Sequence, residues 1–401
     1  MNPFKAPSFC GGSFAGALAG LQQPAKALPS DKNRQKEPEA KVQDWLDADV
    51  WQQGELELVC VDKRRETHDV VTLILQPSHP LRFHFKPGQF VTLGAEVDGK
   101  TLWRSYTISS SPSRPYSLEV TVKKVSNGMV STYLVDKLAI GDSLKALPPA
   151  GEFNLAEYDA DNCLLLSAGS GITPMMSMTA FVADTRIHKD IVLVHSARSD
   201  RDIIFERRLR KLAATRSEFR LAFVLEQLSE SATVSSGAAV VTGRLDWSKL
   251  LSLVPDAMER EVFVCGPEAY MHSVKEMLKN AGFDMSRYHQ ESFTPSSGSV
   301  KAPGVSCQTE EITAGSSLSV SWGKSEARVE NGSSVLEAAK ELQLPIITAC
   351  RAGVCGACKC KVVKGEVRSS SRVTLTDEEV AAGVVLACAS TLHSDAELTL
   401  V

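Results

Sequence analysis

Residues 350–360 read CRAGVCGACKC, and a further cysteine, Cys388, follows about thirty positions on. No other stretch constrains the chain as tightly. Three cysteines at C-x4-C-x2-C spacing with a distant fourth are what a loop needs to wrap a 2Fe–2S cluster and deliver three of its four thiolates. Gly353 and Gly356 suit such a loop. A residue without Cβ takes positive φ and lets backbone N–H groups approach the sulfides. The expected metal ligands are Cys350, Cys355, Cys358 and Cys388. A structural zinc site is the bland alternative, but zinc motifs usually come as two cysteine pairs, and a glycine-lined triple is not of that form. Cys360, two residues past Cys358, is either a rival ligand or a packed thiol, and we read it as the latter. Ten cysteines in 401 residues are too few for a disulfide scaffold. Their clustering points to a metal centre in a reducing compartment, hence a cytoplasmic protein.

The chain is long enough for two to three domains. Hydrophobic residues at 43% predict ordinary packed cores, and a net charge of −4 gives nucleic-acid binding no support. No apolar run is long enough for a membrane span. The segment Phe9 to Leu21 is broken by glycines, so residues 1–50 are expected to be a disordered leader rather than an export signal.

Residues 51–156 carry short strand-like runs, among them 56–61, 70–75, 89–93 and 117–122, separated by turn signals such as Lys86-Pro87-Gly88. Regular short strands of this kind predict an antiparallel β-barrel, interrupted by one helix over 130–138. Residues 160–293 change rhythm. Strands at 163–167, 191–195, 220–225 and 262–265 alternate with helices from Pro174, over 201–215 and over 268–281. That alternation predicts a doubly wound α/β domain with a parallel sheet. A Ser/Pro/Gly linker over 294–306 leads to a third domain, 307–401. Its signals are a hairpin around Gly323-Lys324, capping boxes at Ser334–Glu337 and Thr376–Glu379, and a terminal strand from Ala396.

Two further motifs carry chemistry. Arg104-Ser105-Tyr106-Thr107 is followed by Asn127-Gly128-Met129-Val130-Ser131. Arg104 offers a fork of phosphate donors, Tyr106 a flat amphipathic face, and residues 128–131 bare N–H groups and a hydroxyl at a helix start. Ala168-Gly169-Ser170-Gly171-Ile172-Thr173-Pro174 follows the strand 163–167, where a pyrophosphate suits the helix start, and Cys265-Gly266-Pro267 follows a later strand. Each alone is weak: an isolated Arg and Tyr on a strand, or a Cys ending one, is ordinarily structural.

Together the motifs resemble the ferredoxin–NADP reductase superfamily: R-x-Y-[ST] after Pro87-Gly88-Gln89-Phe90, then N-G-x-x-S, then G-x-G-I-T-P and C-G-P. Residues 309–401 resemble plant-type 2Fe–2S ferredoxins of the β-grasp, α+β fold. The resemblance implies that Arg104 and Ser131 hold flavin phosphate, with Ser105, Gly128, Met129 and Val130 also at the cofactor, that Tyr106 stacks on the flavin, and that Thr107 bonds near its N5. It implies that Gly169, Gly171, Thr173 and Pro174 shape the dinucleotide loop. Cys265, Gly266 and Pro267 would lie beside the nicotinamide, and Phe293 resembles the aromatic that covers the flavin, although a plain core Phe reads nearly as well. Tyr106, Thr107 and Cys265 are thus the expected catalytic residues. R-x-Y-T-I-S-S-S-P looks like the FAD-using members more than the FMN-using phthalate dioxygenase reductase type. After His195, Arg198 would suit NADPH, whereas Asp200 and Asp202 oppose a 2′-phosphate, so NADH is expected over NADPH.

The layout resembles flavin reductases with a C-terminal ferredoxin domain: the reductases of hybrid cluster proteins, and the reductase components of Rieske-type demethylases such as those acting on glycine betaine. It implies electron transfer from NAD(P)H through FAD and 2Fe–2S to an acceptor protein, first a hybrid cluster protein, alternatively a Rieske-type oxygenase. A redox-sensing module is the distant alternative, disfavoured because every motif position holds a competent residue.

Overall fold

A computed structural model describes residues 41–52, 54–158, 160–229, 237–293, 317–348, 353, 355–372 and 374–401. Residues 1–40, the expected linker 294–306 and Cys350 lie outside them. Residues Val42–Val401 form one compact unit.

Six antiparallel strands come first: β1 (Leu56–Arg65), β2 (Val70–Pro77), β3 (Phe90–Val97), β4 (Lys100–Thr107), β5 (Leu118–Lys123) and β6 (Ser143–Ala150), in the order β4-β3-β6-β1-β2-β5. The two edges meet just past β4, where Ile108 bridges Val120 and the Ser109 N–H donates to Glu119 O at 2.8 Å, and this closes the barrel. Alternation fills it: Leu56, Leu58 and Cys60 of β1 point inward while Glu57 faces solvent. Strand β6 carries Pro148-Pro149, tolerated where its register to β3 shifts. The expected helix over 130–138 is one α turn, Met129–Thr132, running into a π turn, Tyr133–Lys137. Val130, Leu134, Val135 and Leu138 plug the barrel from it.

The leader expected over 1–50 is corrected for its last residues. Val42–Leu46 is helical, Trp45 packs edge-on to Tyr116, and Arg82 Nε donates to Ala48 O at 2.8 Å. Val50–Trp51 pairs with Arg82–Phe83. Tryptophan burial ties this segment down despite its polar composition.

A parallel sheet follows: β7 (Asn162–Ala168), β8 (Asp190–Ala197), β9 (Phe219–Leu225), β10 (Ala239–Thr242), β11 (Glu261–Cys265) and β12 (Tyr288–Glu291), in the order β10-β9-β8-β7-β11-β12. Helices α2 (Ile172–Thr185), α3 (Glu206–Thr215), α4 (Trp247–Leu253) and α5 (Glu268–Asn280) connect them, counting Met129–Thr132 as α1. Separate apolar clusters fill the two faces of the sheet. The helix expected over 201–215 starts only at Glu206. Before it, Asp202 accepts from Ser199, a local side-chain bond of the kind that competes with helix, and Asp200 is held by Ser229 from a distant loop. Phe205, at φ +60, separates the two parts.

The barrel and this domain are bonded to each other. Ser177 Oγ donates to Ser110 O at 2.7 Å, Arg114 grips Asp184 with two bonds of 3.0 Å, and Arg208 reaches Glu119 at 2.5 Å. Burial works to raise the Glu119 carboxyl, but Arg208 and Arg64 together outweigh it and hold it below the usual range.

The C-terminal sheet comprises β13 (Ser317–Trp322), β14 (Ser325–Glu330), β15 (Lys359–Lys364), β17 (Val384–Leu386) and β19 (Ala396–Thr399), in the order β14-β13-β19-β15-β17. Strands β16 (Val367–Ser369) and β18 (Ser390–Leu392) pair beside it. Helices α6 (Val335–Glu341) and α7 (Asp377–Ala381) open on the two capping boxes expected at Ser334 and Thr376. Val335, Ala338 and Ala339 of α6 pack on Val320, Leu386 and Leu398 of the sheet, a β-grasp core. Among the described residues no helix is long and apolar enough to cross a membrane.

Candidate functional site

Three surfaces collect the motif residues. On the barrel, β4 pairs with β3 so that Arg104 faces Leu93, Ser105 faces Thr92, Tyr106 faces Val91 and Thr107 faces Phe90. The Arg104 guanidinium is exposed and anchored by one bond to Trp103 O at 2.7 Å, which leaves donors for an anion. Tyr106 packs on the barrel core, and burial pushes its phenol above the ordinary range. The buried Thr107 Oγ1 has no partner in the protein, the mark of a polar atom awaiting a ligand. The Met129–Thr132 turn lies against β3 and β4. A Cβ on Gly128 would fall 2.6 Å from Ser131 Oγ, so the bare residue leaves that hydroxyl its place. Two hydroxyls are already engaged. Ser131 Oγ accepts from the Val125 N–H and donates to Gly128 O, each at 3.1 Å, and Ser105 Oγ bonds Thr92. The side chain of Val130 belongs to the core and that of Met129 is exposed. These residues therefore fit a flavin through Arg104, Tyr106, Thr107 and the turn's backbone, with Ser105 and Ser131 shaping their strand and loop.

The second surface is where the parallel sheet reverses its order. β7 has β8 on one side and β11 on the other, so their C-terminal ends open a crevice. Gly169 to Gly171 turns out of β7, and Thr173 Oγ1 donates back to Ser170 O at 3.0 Å. Pro174 sits in the first turn of α2, where no helical bond is lost. A Cβ on Gly171 would lie 2.2 Å from Cys265 O and 2.5 Å from Gly266 N. The two nucleotide motifs, far apart in sequence, therefore touch backbone to backbone. Cys265 pairs with both Ser167 and Glu291 across the sheet. Burial pushes the Cys265 thiol well up, so it stays protonated, and burial raises the Glu291 carboxyl to about 8. Around this lip Glu291 Oε2 is buried without a partner in the protein, while the buried Ser196 Oγ and Tyr270 OH have only each other, which fits a polar ligand. Glu291 and Tyr270 were given no role from sequence. Only β pairing to Cys265 and the helix turn over Gly266 bring them in. Phe293 is 48% exposed at the domain's end, so it is no core residue.

Under the crevice, His195 Nδ1 bonds Ser167 Oγ at 2.9 Å and Nε2 is buried without a partner. Burial pushes the imidazole down to about 3. Because the folded value lies below the ordinary one, the stabilisation is complete above pH 6.5 and drains away as pH falls towards 3. Between pH 6.5 and 5, denaturant titration is expected to show wild type losing about 2 kcal/mol more than His195→Gln, at about 1.4 kcal/mol per pH unit. Equal losses would mean that His195 titrates normally. A cleft of about 220 Å³ lined by Thr179, Arg186, His188 and Arg216 opens at the sheet's other end and touches none of the motif residues.

The third surface is the cysteine loop. Cys358 and Cys388 bring their sulfurs to 3.3 Å, and the Gly353 N–H donates to Cys388 Sγ at 3.3 Å. Gly353 and Gly356 take φ of +71 and +70. A Cβ on Gly353 would meet Ala389 at 2.6 Å, and one on Gly356 would meet Thr374 at 2.8 Å. Bare backbone, N–H aimed at sulfur and converging thiols fit a 2Fe–2S cluster. Cys350 lies outside the described residues, and among those described no three metal-ligating side chains close a site without it. Cys360 is fully buried in the β-grasp core, its thiol pushed up to about 12 by burial, in accord with the packed reading.

Comparison with known proteins gives the same three parts in the same order. Residues 57–155 match an oxidoreductase FAD-binding domain, 165–276 an oxidoreductase NAD-binding domain, and 321–393 a 2Fe-2S iron-sulfur cluster binding domain. The chain is 42% identical to the glycine betaine monooxygenase reductase subunit of Chromohalobacter salexigens over 86% of its own length and 95% of that protein's. It is 34% identical to the NADH oxidoreductase HCR of Escherichia coli, over 84% and 94%. Phthalate dioxygenase reductase shares the fold, at a TM-score of 0.53 and 22% identity over 86% of this chain and 98% of that one.

Proposed function

We propose, from the premise that this chain belongs to the ferredoxin–NADP reductase superfamily as a flavin reductase with a C-terminal 2Fe–2S ferredoxin domain, that its three surfaces form one electron path ending on an oxygenase. The chain is an NAD(P)H-dependent oxidoreductase that uses FAD and 2Fe–2S to reduce a separate redox acceptor. When bound, these groups supply a hydride acceptor that gives up its electron pair singly and a one-electron carrier.

Everything else falls to the residues. Arg104 and the 128–131 backbone hold the FAD phosphates, Tyr106 sets the plane of the ring, and Thr107 Oγ1 bonds its reactive edge. Gly169, Gly171, Thr173 and Pro174 shape the pyrophosphate turn. Cys265, Gly266 and Pro267 place the nicotinamide, and Phe293 flanks the flavin. A protonated Cys265 beside a carboxyl raised to about 8 presents a polar but uncharged lip. Cys350, Cys355, Cys358 and Cys388 hold the cluster.

The observation that carries this reading is the backbone contact of Gly171 with Cys265, which brings the two nucleotide motifs into one crevice. For the acceptor, the relative at 42% favours the oxygenase component of a glycine-betaine-type monooxygenase. A hybrid cluster protein stands second, supported by the oxidoreductase at 34%. Mixing the reduced enzyme anaerobically with each purified acceptor decides between them: the true acceptor reoxidises the cluster within milliseconds to seconds, and failure of both overturns the reading.

NADH is the proposed donor. Arg198 is drawn to Asp202 at 3.5 Å, and Asp202 also accepts from Ser199 Oγ at 2.7 Å. The carboxylate thus draws off Arg198, the cation proposed to meet a 2′-phosphate. Asp202→Ala is expected to raise kcat/KM for NADPH by about tenfold, worth about 1.4 kcal/mol, with steady-state dye reduction as the measurement.

A further inference from the structure

The turn Pro87-Gly88-Gln89-Phe90 ends in an aromatic side chain that the reading above leaves without a task. Phe90 opens β3, yet it is not part of the barrel's own core. It is buried instead with Ala150 and with Cys355 of the cluster loop, Ala357 packing beside them. Phe90 is fixed in place. It pairs with Ala150 on one side and Thr107 on the other. Its ring lies over Gly151, where a Cβ would come within 3.0 Å of it, and Gln89 Nε2 ties the turn to Gly151 O at 3.0 Å.

We propose that Phe90 and Ala150 form the landing surface on which the cluster loop docks through Cys355. Phe90 is a positioning residue in it. Docked, it sets Cys355 against the strand pair that holds Thr107, one residue from Tyr106. Each transfer moves one electron and no heavy atom, and the pair originates in NAD(P)H. The proposal rests on the flavin and cluster assignment above.

The test uses the full holoprotein with Phe90→Ala and Phe90→Glu, and with Ala150→Glu as a second route should the Phe90 variants fold poorly. The visible spectrum of wild type checks the cofactor assignment by itself. Amide exchange over residues 355–360 then reads docking without turnover and is expected to speed up at least tenfold in the glutamate variants. In stopped flow, reduction of the flavin by NADH is expected to stay within twofold of wild type, while cluster reduction slows at least tenfold. Unchanged exchange together with cluster reduction within twofold of wild type would overturn the proposal, even with both chromophores in place.

Discussion

Replacing Cys388 with serine is expected to lower electron delivery to a protein acceptor by more than about 10³-fold while NADH-driven reduction of a small dye stays within about twofold. The sulfur of Cys388 meets that of Cys358 at 3.3 Å and receives the Gly353 N–H, so its loss removes a thiolate ligand. Serine is close in shape, and Cys388 lies at the rim of the β-grasp core rather than within it. The domain should therefore fold. The barrel and the parallel sheet contain none of the affected atoms, and dye reduction needs only those two parts. Iron content and the visible spectrum give the first readout, and paired assays with dye and with the protein acceptor give the second. If dye reduction falls in step with acceptor reduction, the modular order of the path is wrong.

Gly171→Ala should do the reverse, sparing the cluster and disabling entry of electrons. The new Cβ would lie 2.2 Å from Cys265 O, 2.3 Å from its carbonyl carbon and 2.5 Å from Gly266 N. All three are backbone atoms at the end of a buried strand, so no side chain can swing aside. The turn must shift by about an ångström, and misplacement on that scale costs about 10²-fold in catalysis. We expect kcat/KM for NADH to fall by at least about that factor with FAD and iron contents unchanged. Chemically reduced enzyme should still pass electrons to its acceptor at the normal rate. A kcat/KM within about threefold of wild type would mean that the crevice is not the nucleotide site.

Much of this was legible in the sequence because it is written in local chemistry. The cysteine spacing and its two glycines specify a loop, since only residues without Cβ take φ near +70 against packed neighbours. The capping boxes at Ser334 and Thr376 are contained in four residues each. The alternation in β1 and the buried runs of β7 and β8 follow from which faces water reaches. Where local signals conflicted, the sequence misled. Polar residues 41–50 read as leader although Trp45 and Ala48 bind them to the barrel. The charged run from Arg201 read as helix although Ser199 takes the Asp202 carboxylate and Ser229 holds Asp200 just before it.

By itself, then, the sequence determined the three modules, their order, the cofactor classes and the residue types at each motif, because periodicity, glycine and ligand spacing act over a few residues. Tertiary structure decided which of those residues face a ligand and which serve the fold. It set Ser131 and Ser105 to hold their own loops, left Thr107 Oγ1 unmet, placed Glu291 beside Cys265, and laid Cys355 on Phe90. Apart from the Ser131 bonds within its own turn, those are contacts between residues tens to hundreds of positions apart, fixed by strand pairing and packing, which no local pattern encodes.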